Sequence, residues 1–318
     1  MKHNIKITLL LLAMFFVTQL IGIFVVSHYQ PKTIQLITSD GNSTNVTTFN
    51  LPYGMDPPQD VQPKGVADIA ISFAIVFFIA VVLMLFLMKY KADILIKVWF
   101  FVVVILAIGT TLNSIINKIP YASLIAVFLA APLAYYKIFK RNLIVHNLTE
   151  LIIYPGIASI FIAMLVSWTK TPILAVSIIL ILISLYDMYA VWHSGFMQRM
   201  AQYQINNLRI FTGFFIPYIG KKQKEAIKAA KSSPKKMKNK KVNVSVAILG
   251  GGDVVFPIIL AGIAFITLGL IPALIISLGA TLALAGLFWL SEKGKFYPAM
   301  PFISAGCFVA LGVIYLLF

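Results

Sequence analysis

Charge is what this sequence lacks most. Only 11% of its 318 residues are charged, while 60% are apolar, and the mean hydropathy is +0.93. Soluble chains carry about 25% charged residues, so a soluble fold of this length is excluded and a bilayer becomes the solvent. Cysteine is nearly absent as well. Cys307 stands alone, which excludes an intramolecular disulfide and a thiolate metal cluster, and its apolar run marks it as a small buried hydrophobe. The histidines are His3, His28, His146 and His193. None forms the His-Glu-x-x-His pattern of a zinc protease, and His193-Ser194 is not the Gly-x-Ser-x-Gly setting of a serine nucleophile.

What is present is a series of long apolar runs. A spanning helix needs roughly 20 such residues, and spans are predicted at 7–27, 68–88, 94–116, 119–136, 146–168, 171–193, 244–268, 270–290 and 299–318. The fold class is therefore an all-α membrane protein of nine transmembrane helices. The first run is longer than the apolar core of a signal peptide and lacks a small-x-small cleavage site, so it reads as a retained helix. With the N-terminus in the cytoplasm and the C-terminus external, 22 of the 26 Lys and Arg fall on the cytoplasmic side. That bias is the positive-inside rule. It accounts for the net charge of +16 as topology, and leaves no need for a nucleic-acid partner. Membrane lipids are the expected partner of the basic segment.

The organisation follows from the spans. Residues 1–193 form a six-helix N-terminal part that includes an external loop at 28–67, rich in proline and expected to be partly extended. Residues 194–243 form a basic cytoplasmic loop. Within it Lys221–Lys241 reads as a solvated run and Asn207–Gly220 as a segment on the membrane surface. Residues 244–318 form a three-helix C-terminal part, and all three belong to one membrane domain.

Acids are scarce, ten in all, and only Asp187 and Asp253 fall well inside apolar spans. A charge at the bilayer centre costs about 2.5–3.5 kcal/mol on insertion scales and usually faces the bundle interior. Asp187 lies six residues before the cytoplasmic end of the sixth span, roughly 9 Å deep, and Asp253 nine residues into the seventh, roughly 13 Å deep. At matching depths the two can meet across a helix interface. Two carboxylates so placed share one proton. The ionised one can draw a proton from water while the protonated one polarises a carbonyl.

The neighbours of these acids are distinctive. Asp187 follows Tyr186. Asp253 closes Gly250-Gly251-Gly252-Asp253, with Pro257 four residues on. Pro298-Ala299-Met300-Pro301 opens the last span. The ordered set resembles the presenilin and signal peptide peptidase family of intramembrane aspartyl proteases, which carry Tyr-Asp, Gly-x-Gly-Asp and Pro-Ala-Leu on the sixth, seventh and ninth helices. Met300 departs from that pattern by replacing Leu with a near-isostere. The resemblance implies a presenilin-like bundle and an aspartic endopeptidase that cuts transmembrane segments or signal peptides. It implies Asp187 and Asp253 as catalytic residues, with Tyr186, Gly250, Gly252, Pro298, Ala299 and Met300 in support, and no cofactor or metal. It also implies an integral protein of the cell membrane whose substrates have an external N-terminus. The residues alone leave an alternative open, a proton- or ion-coupled transporter built on two deep acids and Gly/Pro-broken helices. Against it, the chain shows no pair of matching halves.

Overall fold

The computed structural model of the chain describes residues 5–37, 43–58, 64–140, 142–194, 203, 212–218, 245–291 and 297–317. Among them nine helices are long and apolar enough to cross a membrane. They are α1 (Ile5–His28), α2 (Val66–Lys89), α3 (Asp93–Ile116), α4 (Ala122–Phe139), α5 (Leu143–Trp168), α6 (Pro172–Tyr189), α7 (Gly251–Leu268), α8 (Leu270–Leu290) and α9 (Met300–Leu317). A π-helical turn, Ala190–Ser194, extends α6. Among the described residues there are also two antiparallel strand pairs, β1 (Lys32–Ile37) with β2 (Ser43–Thr48), and β3 (Gly213–Tyr218) with β4 (Ser245–Gly250).

Helices α1, α5 and α7 pack on one another, and α7 is also flanked by α6, α8 and α9. Lipid gives no hydrophobic drive for helix association, so close packing must supply it, and small residues mark the contacts. Gly156 of α5 lies where a Cβ would come within 2.0 Å of the Ala107 carbonyl oxygen on α3. Gly22 of α1 is pressed against Ile258 of α7 in the same way. Side chains of neighbouring helices also bond to backbone carbonyls in the turns just before the helical prolines. Thr111 donates to the Ile152 carbonyl close to Pro155, and Gln19 to that of Val254 close to Pro257. Helix α2 is the exception to this packing, since only Ile69 on it is buried.

The loop predicted at 28–67 contains the β1–β2 pair, and its residues Phe49 and Leu51 pack with Val25, Tyr29 and Ala163. The second strand pair was not expected. A helix is predicted from residue 244, but Ser245–Gly250 is the strand β4 and α7 starts only at Gly251. The β-branched and aliphatic run Val246–Leu249 favours an extended chain, and three successive glycines are poor helix formers. Its partner β3 falls inside the predicted surface segment 207–220. Phe214 and Ile216 face Leu249 and Ala247 across the pair, and all four are buried. Phe214 and Ile216 are therefore part of the core. The Lys221–Lys241 run lies outside the described residues.

Candidate active site

The site grows from the end of β4. Gly250 is extended, with ψ 147°, and caps α7. Asp253 is thus the third residue of its helix, where a carboxylate can reach back to the cap amide, and it takes a backbone hydrogen bond from Gly250. The first four amides of a helix lack internal partners and favour a negative charge. Pro257 has no N–H, so the normal acceptor of its bond, the Asp253 carbonyl, is released.

Asp187 sits in the last turn of α6 and is only 5% exposed. Its Oδ2 accepts the Met300 N–H at 3.1 Å, and a second backbone hydrogen bond comes from Ala299. An acid on α6 therefore caps the start of α9. Pro298, which carries no N–H, is buried next to these amides, and Pro301 lets the helix begin at the same place. One turn away Ser184 donates to Ser304 at 2.9 Å, a second bond between α6 and α9. Met300 is 3% exposed, and it is its backbone that meets the acid. That is why a Leu-to-Met departure leaves the contact intact.

The two acids stand on neighbouring helices, α6 and α7, within electrostatic reach of each other. Asp187 is buried and Asp253 is partly exposed, so the pair is open on one side. Of the predicted supporting residues, Tyr186 turns toward α2, where its ring meets Phe77 edge-on at 4.8 Å. At Gly250 a Cβ would lie in tight contact with the acid, 3.0 Å from Asp253 Oδ2. Gly252 is not crowded, its nearest neighbour being Phe256 at 3.9 Å. The tightest glycine of the three before Asp253 is Gly251, which no site expectation singled out. A Cβ there would stand 2.9 Å from both Cε1 and Oη of Tyr154.

Sequence reasoning also passed over Glu150, one turn into the fifth predicted span. It is 1% exposed and bonded to Lys137 at 2.6 Å. The acid four residues after His146, with a lysine on the preceding helix, was the available signal. His193 is exposed and stacks on Tyr189 at 5.8 Å, away from both acids' hydrogen bonds.

The sequence profile of a family described as signal-peptide peptidase, presenilin aspartyl protease matches residues 52–318. Two solved structures of a presenilin family intramembrane aspartate protease are similar in fold. The one in a C222 crystal form shares 18% identity at a TM-score of 0.59, covering 98% of this chain and 99% of that chain. The one in a P2 form shares 18% identity at a TM-score of 0.57, covering 97% of each. No curated protein matches by sequence.

Proposed function

The chain belongs to the family of signal-peptide peptidase and presenilin aspartyl proteases and is an intramembrane aspartic protease; on that premise we propose that Asp187 and Asp253 are its catalytic dyad. What supports this reading is that α6 and α7 pack together with an acid on each, within electrostatic reach of each other and each held by backbone amides. Water adds to the scissile carbonyl as one carboxylate takes its proton, and the other, protonated, hydrogen-bonds the carbonyl oxygen. Collapse of the tetrahedral species breaks the C–N bond, and the amine leaves with a proton from the pair. The pair titrates as a unit, so the roles belong to the dyad.

The substrates are transmembrane segments of membrane proteins or signal peptides. A helical peptide bond is shielded by its own hydrogen bonds, so the segment must open before it is cut. Among the described residues the β3–β4 sheet has two strands, which leaves the outer edge of β4 to pair with an opened substrate, the mode of β-augmentation. Access runs past α2, whose side chains are nearly all turned out of the bundle and which meets α6 at Phe77 and Tyr186. The lysine and arginine distribution supports an N-terminus in the cytoplasm and a cut near that face of the cell membrane. Neither a cofactor nor a nucleic acid has a role in this scheme.

The test is cleavage of a reporter transmembrane peptide by the protein in liposomes. Wild type cuts it, and Asp187→Asn and Asp253→Asn each lose the activity while staying folded. Cleavage at the wild-type rate by either variant refutes the dyad.

A further inference from the structure

The face of α5 that holds β3 takes no part in the chemistry above. His146, Asn147, Glu150 and Tyr154 recur at turn spacing along it. Asn147 makes a reciprocal pair of bonds with one residue of β3. Its Nδ2 donates to the Phe215 carbonyl at 3.0 Å, and its Oδ1 accepts the Phe215 N–H at 3.0 Å. Adjacent strands bond paired residues in this way, so Asn147 stands in for a third strand at one position. Two residues back, Glu150 Oε1 accepts the Gly213 N–H at 3.2 Å, and His146 Nε2 lies 2.9 Å from the Gly213 carbonyl oxygen.

The parity of the strand explains why this matters. Backbone groups in a strand point alternately to its two sides. If Gly213 and Phe215 point to α5, then Phe214 and Ile216 point to β4, and Pro217 faces away from β4. Pro217 has no N–H, and that outward position is where a strand tolerates proline. A slip of β3 by one residue would turn Pro217 toward β4, break the bonds to Asn147 and expose the buried faces of Phe214 and Ile216. The register is fixed on one side by Asn147 and carried on the other through Gly213 opposite Gly250, three residues before Asp253.

We propose that Asn147 is a positioning residue of the protease, fixing through the β3–β4 register which substrate bond lies at the two acids. This rests on the dyad and on substrate pairing with β4. Asn147 touches neither acid by hydrogen bond, and its effect passes through β3, β4 and Gly250.

The experiment uses the full chain in liposomes and a synthetic transmembrane peptide, with products identified by mass spectrometry and kcat and KM measured separately. Asn147→Leu keeps the volume and removes both bonds, and Asn147→Ala removes them with less bulk. Thermal unfolding reports the folded fraction of each, and Asp253→Asn is run alongside. The expected result is a fall in kcat of about ten- to a hundredfold, as small misplacements of reacting groups produce. KM stays near wild type, and the cut spreads to neighbouring bonds. A single wild-type cut, with turnover falling only as the folded fraction falls, overturns the proposal. So does failure of both variants to fold, which would make Asn147 a folding residue. Cleavage by Asp253→Asn would instead refute the dyad, a separate failure.

Discussion

Gly251→Ala tests the site's construction most directly, because one methyl group has a calculable consequence. The new Cβ would lie 2.9 Å from Tyr154 Cε1 and Oη and 3.2 Å from Cζ. Ordinary contact begins at about 3.5 Å, so about 0.6 Å of overlap must be relieved. Tyr154 cannot retreat easily. It is 3% exposed, and its ring stands edge-on to Phe214 at 5.7 Å. The first turn of α7 must therefore move, and Asp253 with it. Overpacking of this kind costs about 1–3 kcal/mol of stability, offset in part by alanine's better helix propensity, worth up to about 1 kcal/mol. A displacement of this size at a reacting group lowers turnover about tenfold or more. The assay pairs thermal unfolding in detergent with cleavage of the reporter peptide. Gly252→Ala is the control, since its Cβ meets only Phe256 at 3.9 Å. It should keep near-wild-type stability and activity. Adding Tyr154→Val to Gly251→Ala removes the obstructing ring, and the cycle should show a favourable coupling of about 1–2 kcal/mol. Equal losses in the Gly251 and Gly252 variants, or no coupling with Tyr154, would refute the steric reasoning.

Other parts of the fold give further expectations. Lys137→Met removes the ammonium from the buried Glu150 carboxylate and leaves it only the Gly213 N–H at 3.2 Å and His146 at 3.6 Å, which should cost about 1–3 kcal/mol. Lys137→Met combined with Glu150→Gln should recover most of that loss, and a single variant that melts with wild type would contradict the pairing. At the other end of the bundle, Tyr29 Oη donates to the Thr110 carbonyl at 2.8 Å and accepts from Asn113 at 2.9 Å. Tyr29→Phe should therefore cost about 1–3 kcal/mol. The Tyr53 hydroxyl is buried with no hydrogen-bond partner, so Tyr53→Phe should be neutral or stabilising in the same melting assay. Burial pushes both hydroxyls from 10.0 up to about 12. Their protonated forms thus support the fold fully below pH 10, and that support is lost as pH rises toward 12. A melting temperature that stays flat across this interval would argue against it.

Much of this protein was legible in one dimension. Nine apolar runs specify the nine spanning helices found among the described residues, because a bilayer core demands about 20 apolar residues per crossing and leaves the backbone little choice but helix. Scarcity of charge also singled out Asp187 and Asp253, since an acid in an apolar span must earn its place. The motifs around them, Tyr186-Asp187, Gly250 to Asp253 and Pro298 to Met300, pointed to the family whose profile matches residues 52–318.

What the pattern of residues left undecided is how these elements meet. Val246–Leu249 is apolar enough for a helix or a strand, and periodicity does not separate the two in a short run. Only pairing with β3, whose residues lie 27 to 37 positions from their partners (245 − 218 and 250 − 213), selects the strand and places Asp253 in the first turn of α7. Glu150, one turn into its predicted span, gave no sign of its partners until Lys137 and Gly213 closed around it. Ser184 and Ser304 carry no signal singly, and neither does the role of the Met300 backbone as donor to Asp187. Local sequence determines burial preference, helix length and the cost of each charge. Hydrogen-bond partners drawn from distant segments exist only once the chain has packed, and those contacts decide where the two acids stand.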